Sequence, residues 1–295
     1  GGNFEAGNSI PHIAEDPAEF AKKAGIREEA LKQSLEQGRE KLFQVREKRI
    51  HPLKDDKVLT SWNGLMIAAL AKGFQAFGEP AYKQAACKAI DFILKNLVKE
   101  KRFLFRRYRE GESAYPGYLD DYAFFVWGLI ETYEATFDVR FLEEAVTFQD
   151  SMIDLFWDGA QGGFFFSGKE NETLIVPSKE AYDGALPSGN SVAALNLVRL
   201  GRAMGKPEWE ERADQTFQAY ASSVVQYPAG FTQFLAALDF MIGPGREIVI
   251  AGDPSGEDTQ AMLRAVQRLF LPNKVLVLCS GGEEGRRLKA LAPYT

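Results

Sequence analysis

The chain has 295 residues, 45% of them hydrophobic and 26% charged, with 35 Lys and Arg against 41 Asp and Glu for a formal net charge of −6. That balance is globular and acidic, which excludes a disordered or collagen-like chain and a general basic face for nucleic acid. No apolar run approaches the roughly 20 residues that a bilayer crossing needs. Two cysteines (Cys87, Cys279) and two histidines (His12, His51) give no disulfide framework, no CxxC and no zinc spacing. No metal or other cofactor is expected, and no nucleic acid or membrane partner; a reducing cytoplasm is the expected setting.

In chain order, Gly1-Gly2-Asn3-Phe4-Glu5 is neither basic nor apolar, so it is no signal peptide. An opening without Met is what a fragment or processed piece would show. Residues 27–45 predict a helix with Leu31, Leu35, Leu42 and Val45 on one face, the outer helix of an earlier hairpin. Residues 62–75, 122–135 and 190–203 then predict three long helices, each followed by a short turn and an amphipathic helix. Asn63, Tyr122 and Asn190 are spaced by 59 and 68 residues, and so are Tyr82, Phe141 and Trp209. Leu70, Leu129 and Leu197 fall in the same register. The chain therefore repeats one helical hairpin three times. The second helix of each hairpin has a single apolar stripe, whereas the first is apolar nearly all round and must be enclosed by protein. Inner helix followed by outer helix, repeated, is an α/α toroid. Residues 231–242 predict a further inner helix. Residues 247–251, 259–270 and 274–279 read as strand, helix and strand, a small βαβ unit with parallel strands.

The expected fold is thus mainly α, part of an α/α toroid, with a small C-terminal βαβ unit. Residues 1–243 would hold the partial barrel, with repeats near 55–99, 115–157 and 183–225, and residues 244–295 an α/β extension of the same domain. Six hairpins at about 60 residues each need roughly 360 residues. The ring is expected to be incomplete in this chain, or closed by something outside it.

Chemistry is expected in the segments that precede the three inner helices, because equivalent positions in a repeat share one rim. These segments carry Asp56, Asp121 and Asp183, beside Trp62, Asn63, Tyr118, Asp120, Tyr122, Ser188 and Asn190. Aromatic faces stack on sugar rings, Asp and Asn bind hydroxyls, and paired carboxylates serve as general acid and base. The expectation makes Asp56, Asp121 and Asp183 the reacting carboxylates, with Trp62, Asn63, Tyr118, Asp120, Tyr122, Ser188 and Asn190 binding substrate. The competing reading is that Thr60, Asp121 and Ser188 cap helices. The run Arg102, Arg106, Arg107 and Arg109 is either an anion site or a solvated face. Ala251-Gly252-Asp253 follows a strand, but without GxGxxG or a P-loop it does not point to nucleotide.

Several of these stretches also carry a family likeness. Asn3-Phe4-Glu5, the run from Asp55 through Thr60-Ser61-Trp62-Asn63-Gly64 to Ala68, Leu119-Asp120-Asp121-Tyr122-Ala123-Phe124, and Asp183-Gly184-Ala185-Leu186-Pro187-Ser188-Gly189-Asn190-Ser191 resemble the C-terminal region of the YyaL / spermatogenesis-associated protein 20 family of thioredoxin-domain-containing proteins (DUF255). The resemblance spans nearly the whole chain. It implies a thioredoxin-like domain followed by an (α/α)6 barrel similar to the N-acylglucosamine 2-epimerase and six-hairpin glycosidase group. The thioredoxin-like domain, the first barrel hairpins and the family's proline-histidine-phenylalanine-glutamate motif have no counterpart in this sequence. Those missing parts, or a second copy, are the expected closure of the ring. The functional expectation is a carbohydrate-active domain, a glycosidase or sugar epimerase, acting on a small-molecule ligand. Its rivals are a non-catalytic barrel that presents a ligand or protein to a thioredoxin-like partner, and a purely structural or protein-interaction role.

Overall fold

The computed structural model describes residues 2–295, which divide into two units, one up to Asp56 and one over Lys57–Thr295. In the first, Asp16 and Pro17 start helix α1 (Pro17–Ala24): the Asp16 carboxylate accepts from the N–H groups of Ala18 and Glu19. α1 packs on α2 (Glu28–Glu47). The helix expected at 27–45 is present, but it buries no residue, and Leu42 is 66% exposed.

The second unit opens with β1 (Val58–Leu59), then α3 (Thr60–Phe77) and α4 (Pro80–Asn96). Strands β2 (Val98–Lys99), β3 (Phe103–Arg109) and β4 (Glu112–Pro116) follow. The hairpin α5 (Leu119–Thr136) with α6 (Val139–Phe156) comes next, then α7 (Gly189–Met204) with α8 (Pro207–Gln226), and α9 (Thr232–Ile242). The repeat appears in the helix limits. Each turn between inner and outer helix holds one left-handed residue at the equivalent position, Gly78, Phe137 and Gly205 with φ of 71°, 58° and 65°. Glycine adopts this conformation freely, whereas Phe137 must offset a cost of about 1–2 kcal/mol. Its ring packs edge-on against Tyr133, and it touches the apolar cluster of the C-terminal extension.

The inner helices α3, α5, α7 and α9 lie side by side, each touching the next. α5 and α7 are buried nearly all round, as their uniform hydrophobicity demands. The approach of α3 to α5 is set by glycine. A Cβ on Gly64 would stand 2.5 Å from the carbonyl carbon of Phe124, and one on Gly128 would stand 2.9 Å from the Gly64 oxygen. The outer helices cover the other side through Ile90, Phe141, Phe148, Trp209 and Phe217.

The four-stranded antiparallel sheet is the element the sequence reading lacked. β3 pairs with β4 along one edge and with β1 and β2 along the other. The C-terminal unit is as expected: β5 (Arg246–Ala251), α10 (Glu257–Gln267) and β6 (Lys274–Cys279), with the strands parallel and Arg246 opposite Lys274. A further helix, α11 (Gly282–Leu291), closes the chain.

One ionic cluster ties the extension to the inner helices. Arg199 of α7 donates to Glu131 and Glu134 of α5 at 2.5 and 3.0 Å, Lys72 of α3 reaches Glu131 at 3.0 Å, and Lys274 of β6 reaches Glu134 at 3.1 Å. Burial alone would raise the Glu131 carboxyl, but Arg199 and Lys72 hold it below the ordinary carboxylate range.

Candidate functional site: a cavity at the rim of the inner helices

The first turn of any helix presents N–H groups without intrahelical partners, and at this rim Asp side chains accept from them. Asp121, fully buried, accepts from Tyr118 N–H at the start of its own helix (2.9 Å) and from Ser61 N–H in the first turn of α3 (3.0 Å). Asp183 accepts from Ser188 N–H ahead of α7 (2.8 Å), and its second oxygen takes Gln233 and Phe234 N–H in the first turn of α9 (2.9 and 3.0 Å). Asp120 accepts from Gly189 N–H, the first residue of α7. Three carboxylates thus stitch α3 to α5, α5 to α7, and the lead of α7 to α9.

Asp120 differs from the other two because it opens onto a cavity of about 380 Å³. Glu180, Phe166, Tyr182, Ser188 and Asn190 line the same space. Burial pushes the Asp120 carboxyl up to about 6, reinforced by Glu180 and opposed by Arg106 and the Gly189 N–H. Burial likewise pushes Asp121 up to about 6 against the N–H groups it accepts from and the Arg106 charge. Gly189 explains part of the Pro187-Ser188-Gly189-Asn190 motif: a Cβ there would fall 2.4 Å from the Asp120 carboxylate and 2.8 Å from Leu119. Ser188 caps α7, accepting from Ser191 N–H at 3.0 Å. Asn190 holds the main chain of the loop after α6, accepting from Phe164 N–H (2.7 Å) and donating to the Phe164 and Glu180 carbonyls (both 2.9 Å). That grip places Glu180 at the cavity.

A second cavity of about 480 Å³ shares Phe166 with the first and includes Tyr118 and Arg106. Tyr118 and Phe166 are stacked, with centroids 4.9 Å apart and planes at 21°. The structure therefore brings together Asp120, Ser188 and Asn190 at one cavity and Tyr118 at its neighbour. Asp121, Asp183, Trp62, Asn63 and Tyr122 do not line either space. Trp62 is 61% exposed on α3. Asn63 donates to the Leu59 carbonyl at 2.8 Å, and the buried Tyr122 hydroxyl accepts from Leu104 N–H at 2.8 Å. Asp56 is exposed at the end of the first unit. Glu180 and Phe166 were not among the named site residues, although Glu180 lies in the segment ahead of the third inner helix and Phe166 in a Gly-aromatic loop, Gly162–Phe166, that the sequence offers either as cleft lining or as a packed hairpin turn. Both lie in the irregular stretch between α6 and α7, and their signal was only proximity to Asp183 and to the Gly162-Gly163 turn.

Among the described residues, no helix is long and apolar enough to cross a membrane, and no group of three or more His, Cys, Asp or Glu could hold a metal ion. No family model matches the chain. It is 36% identical over 267 residues to spermatogenesis-associated protein 20 of Rattus norvegicus, covering 87% of this chain and 34% of that protein. The human protein of the same name is 35% identical over 271 residues, covering 88% and 34%. The chain thus spans about a third of the length of the curated relatives it matches. Among solved structures, an α-mannanase of Bacteroides thetaiotaomicron matches with a TM-score of 0.51 at 14% identity, over 74% of this chain and 59% of that one. The unsaturated glucuronyl hydrolase of Bacillus sp. GL1 also gives 0.51, at 12% identity, over 66% and 62%. At those identities the likeness is one of fold, and the fold of this chain is mainly α, part of an (α/α)6 toroid.

Proposed function

We propose that the rim cavity binds a saccharide and that Asp120 exchanges a proton with it, as a glycosidase or a sugar epimerase requires. The observation that carries the reading is Asp120 itself: a carboxyl held at about 6, in one cavity with a second carboxylate, Glu180. A general acid must keep its proton near neutral pH, and a pair of carboxylates in unlike settings divides the roles of acid and base. Phe166, stacked on Tyr118 at the border of both cavities, offers an aromatic ring of the kind that receives a sugar face. The mannanase and glucuronyl hydrolase that share the fold act on sugars by name, which supports the same substrate class.

The proposal gives the acid–base work to Asp120 and Glu180 rather than to Asp56, Asp121 and Asp183. Asp121 and Asp183 act as positioning residues, since both oxygens of each accept from backbone N–H groups. In the longer protein that the resemblance implies, the barrel works beside a thioredoxin-like domain in the cytoplasm.

The test is Asp120→Asn against a panel of aryl glycosides and reducing sugars, with hydrolysis and epimerisation followed separately. The amide still accepts from Gly189 N–H, so the fold is retained. Turnover should fall at least about 100-fold, the usual contribution of a general acid, while saccharide binding persists. Unchanged turnover in the variant overturns the role of Asp120. Saccharide binding with no turnover in either protein favours the non-catalytic barrel instead.

A further inference from the structure

Arginines crowd strand β3 and its approach, and nearly all of them are occupied. Arg102 pairs with Asp154 at 3.0 Å and Arg109 with Glu110 at 3.4 Å, while Arg107 lies over the Tyr115 ring at 5.2 Å. Arg106 is placed differently. It is half-buried, its guanidinium lies 4.9 Å from the centroid of Tyr118, and it lines the second rim cavity. Tyr118 in turn stacks on Phe166, which borders both cavities. Arg106, Tyr118 and Phe166 therefore form a layered wall leading to Asp120. Among the described residues no carboxylate stands within ion-pair distance of Arg106. Its charge is nonetheless felt at the rim, where it lowers the carboxyls of Asp120 and Asp121 against their burial.

We propose that the rim substrate is an acidic sugar whose carboxylate or phosphate is received by Arg106, an inference that rests on the saccharide reading of the cavity. A cation–π contact with Tyr118 holds the guanidinium at the wall of the second cavity. A planar fork of that kind recognises a carboxylate or phosphate with two parallel hydrogen bonds. A neutral sugar could accept single hydrogen bonds from it but would offer no charge to match the guanidinium. Glu172 also borders the second cavity, but it is exposed and makes no ion pair with Arg106. Phe166 borders both cavities, and the Arg106 charge acts on Asp120, so the proposal has a ring beside Phe166 that presents its anionic group to Arg106.

The experiment is calorimetric binding at constant ionic strength to wild type, Arg106→Gln and Arg106→Lys. The ligands are glucose, mannose and galactose, each beside its uronate and its 6-phosphate. At least one acidic form should bind wild type tenfold or more tightly than its neutral parent. Arg106→Gln should lose that preference, the ratio of acidic to neutral affinity falling at least fivefold, and Arg106→Lys, which keeps the charge but not the fork, should recover part of it. Preference for the uronate identifies a carboxylate substrate and preference for the 6-phosphate a sugar phosphate. Equal binding of neutral and acidic forms overturns this inference and leaves the saccharide reading standing. Binding of none of the nine removes the saccharide reading, and this inference with it. Melting curves accompany each variant, and if Arg106→Gln does not fold, Arg106→Lys alone decides, through the loss or retention of the acidic preference.

Discussion

Asp121 is buried out of contact with water, and its carboxyl accepts from the Tyr118 and Ser61 N–H groups and from the Ser61 side chain. Its folded-state value near 6 lies above the ordinary 3.8 of an exposed aspartate. The native state therefore holds a proton more tightly than the unfolded chain between those values. The resulting stabilisation is complete below about 3.8 and is lost as pH rises through 6. With those two values, linkage gives about 2 kcal/mol at pH 4.5 and essentially none at pH 7.5. Asp121→Asn removes the titration but keeps one oxygen to accept an N–H. Urea unfolding of wild type and variant at four pH values across this range should show their stability difference shifting by about 2 kcal/mol in favour of wild type at the acidic end. The four tryptophans, Trp62, Trp127, Trp157 and Trp209, all belong to the second unit, so their fluorescence reports on it alone. Parallel curves from pH 4.5 to 7.5 would refute the claim that burial dominates at Asp121.

Gly189→Ala should cost about 1–3 kcal/mol, the usual range for overpacking, because the new methyl meets the Asp120 carboxylate and Leu119. The same variant should weaken saccharide binding, and retained affinity would mean that Asp120 can move without consequence. Arg199→Met strands Glu131 and Glu134 in the interior and should cost roughly 3–5 kcal/mol by urea unfolding. A loss below 1 kcal/mol would show that Lys72 and Lys274 alone satisfy the two glutamates.

The helical hairpins were legible because their apolar spacing follows the helical period, and because the same spacing recurs at 59 and 68 residues. The small sheet was not. Residues 98–116 are dense in Arg, Lys and Glu, and only Phe103, Leu104 and Phe105 mark the strand that pairs three ways. Phe137 is a second blind spot, since a left-handed phenylalanine is permitted by packing that lies more than a hundred residues away in the extension. At the rim, composition pointed to the segments but not to the side chain. Asp120 and Asp121 are neighbours about 100° apart around α5, and that difference turns one towards the cavity and the other onto α3. Their order in the chain does not say which is which. Asn190 was expected among the ligand-binding groups, and its amide meets three main-chain partners at Phe164 and Glu180, a task visible only once the loop is folded.

The carboxylate stitches along the rim also bear on how this array comes apart. In a linear helical repeat, stability is close to a sum of units and nearest-neighbour terms, so terminal repeats can fray while the centre persists. Here Asp121, Asp120 and Asp183 each satisfy donors that belong to a neighbouring hairpin. Unravelling one hairpin therefore strands polar groups in the next, adding a penalty to every partly unfolded form. The inner helices should melt in one step, and a truncation after α6 should destabilise the retained α5 as well, because it leaves Asp120 facing the vacated start of α7.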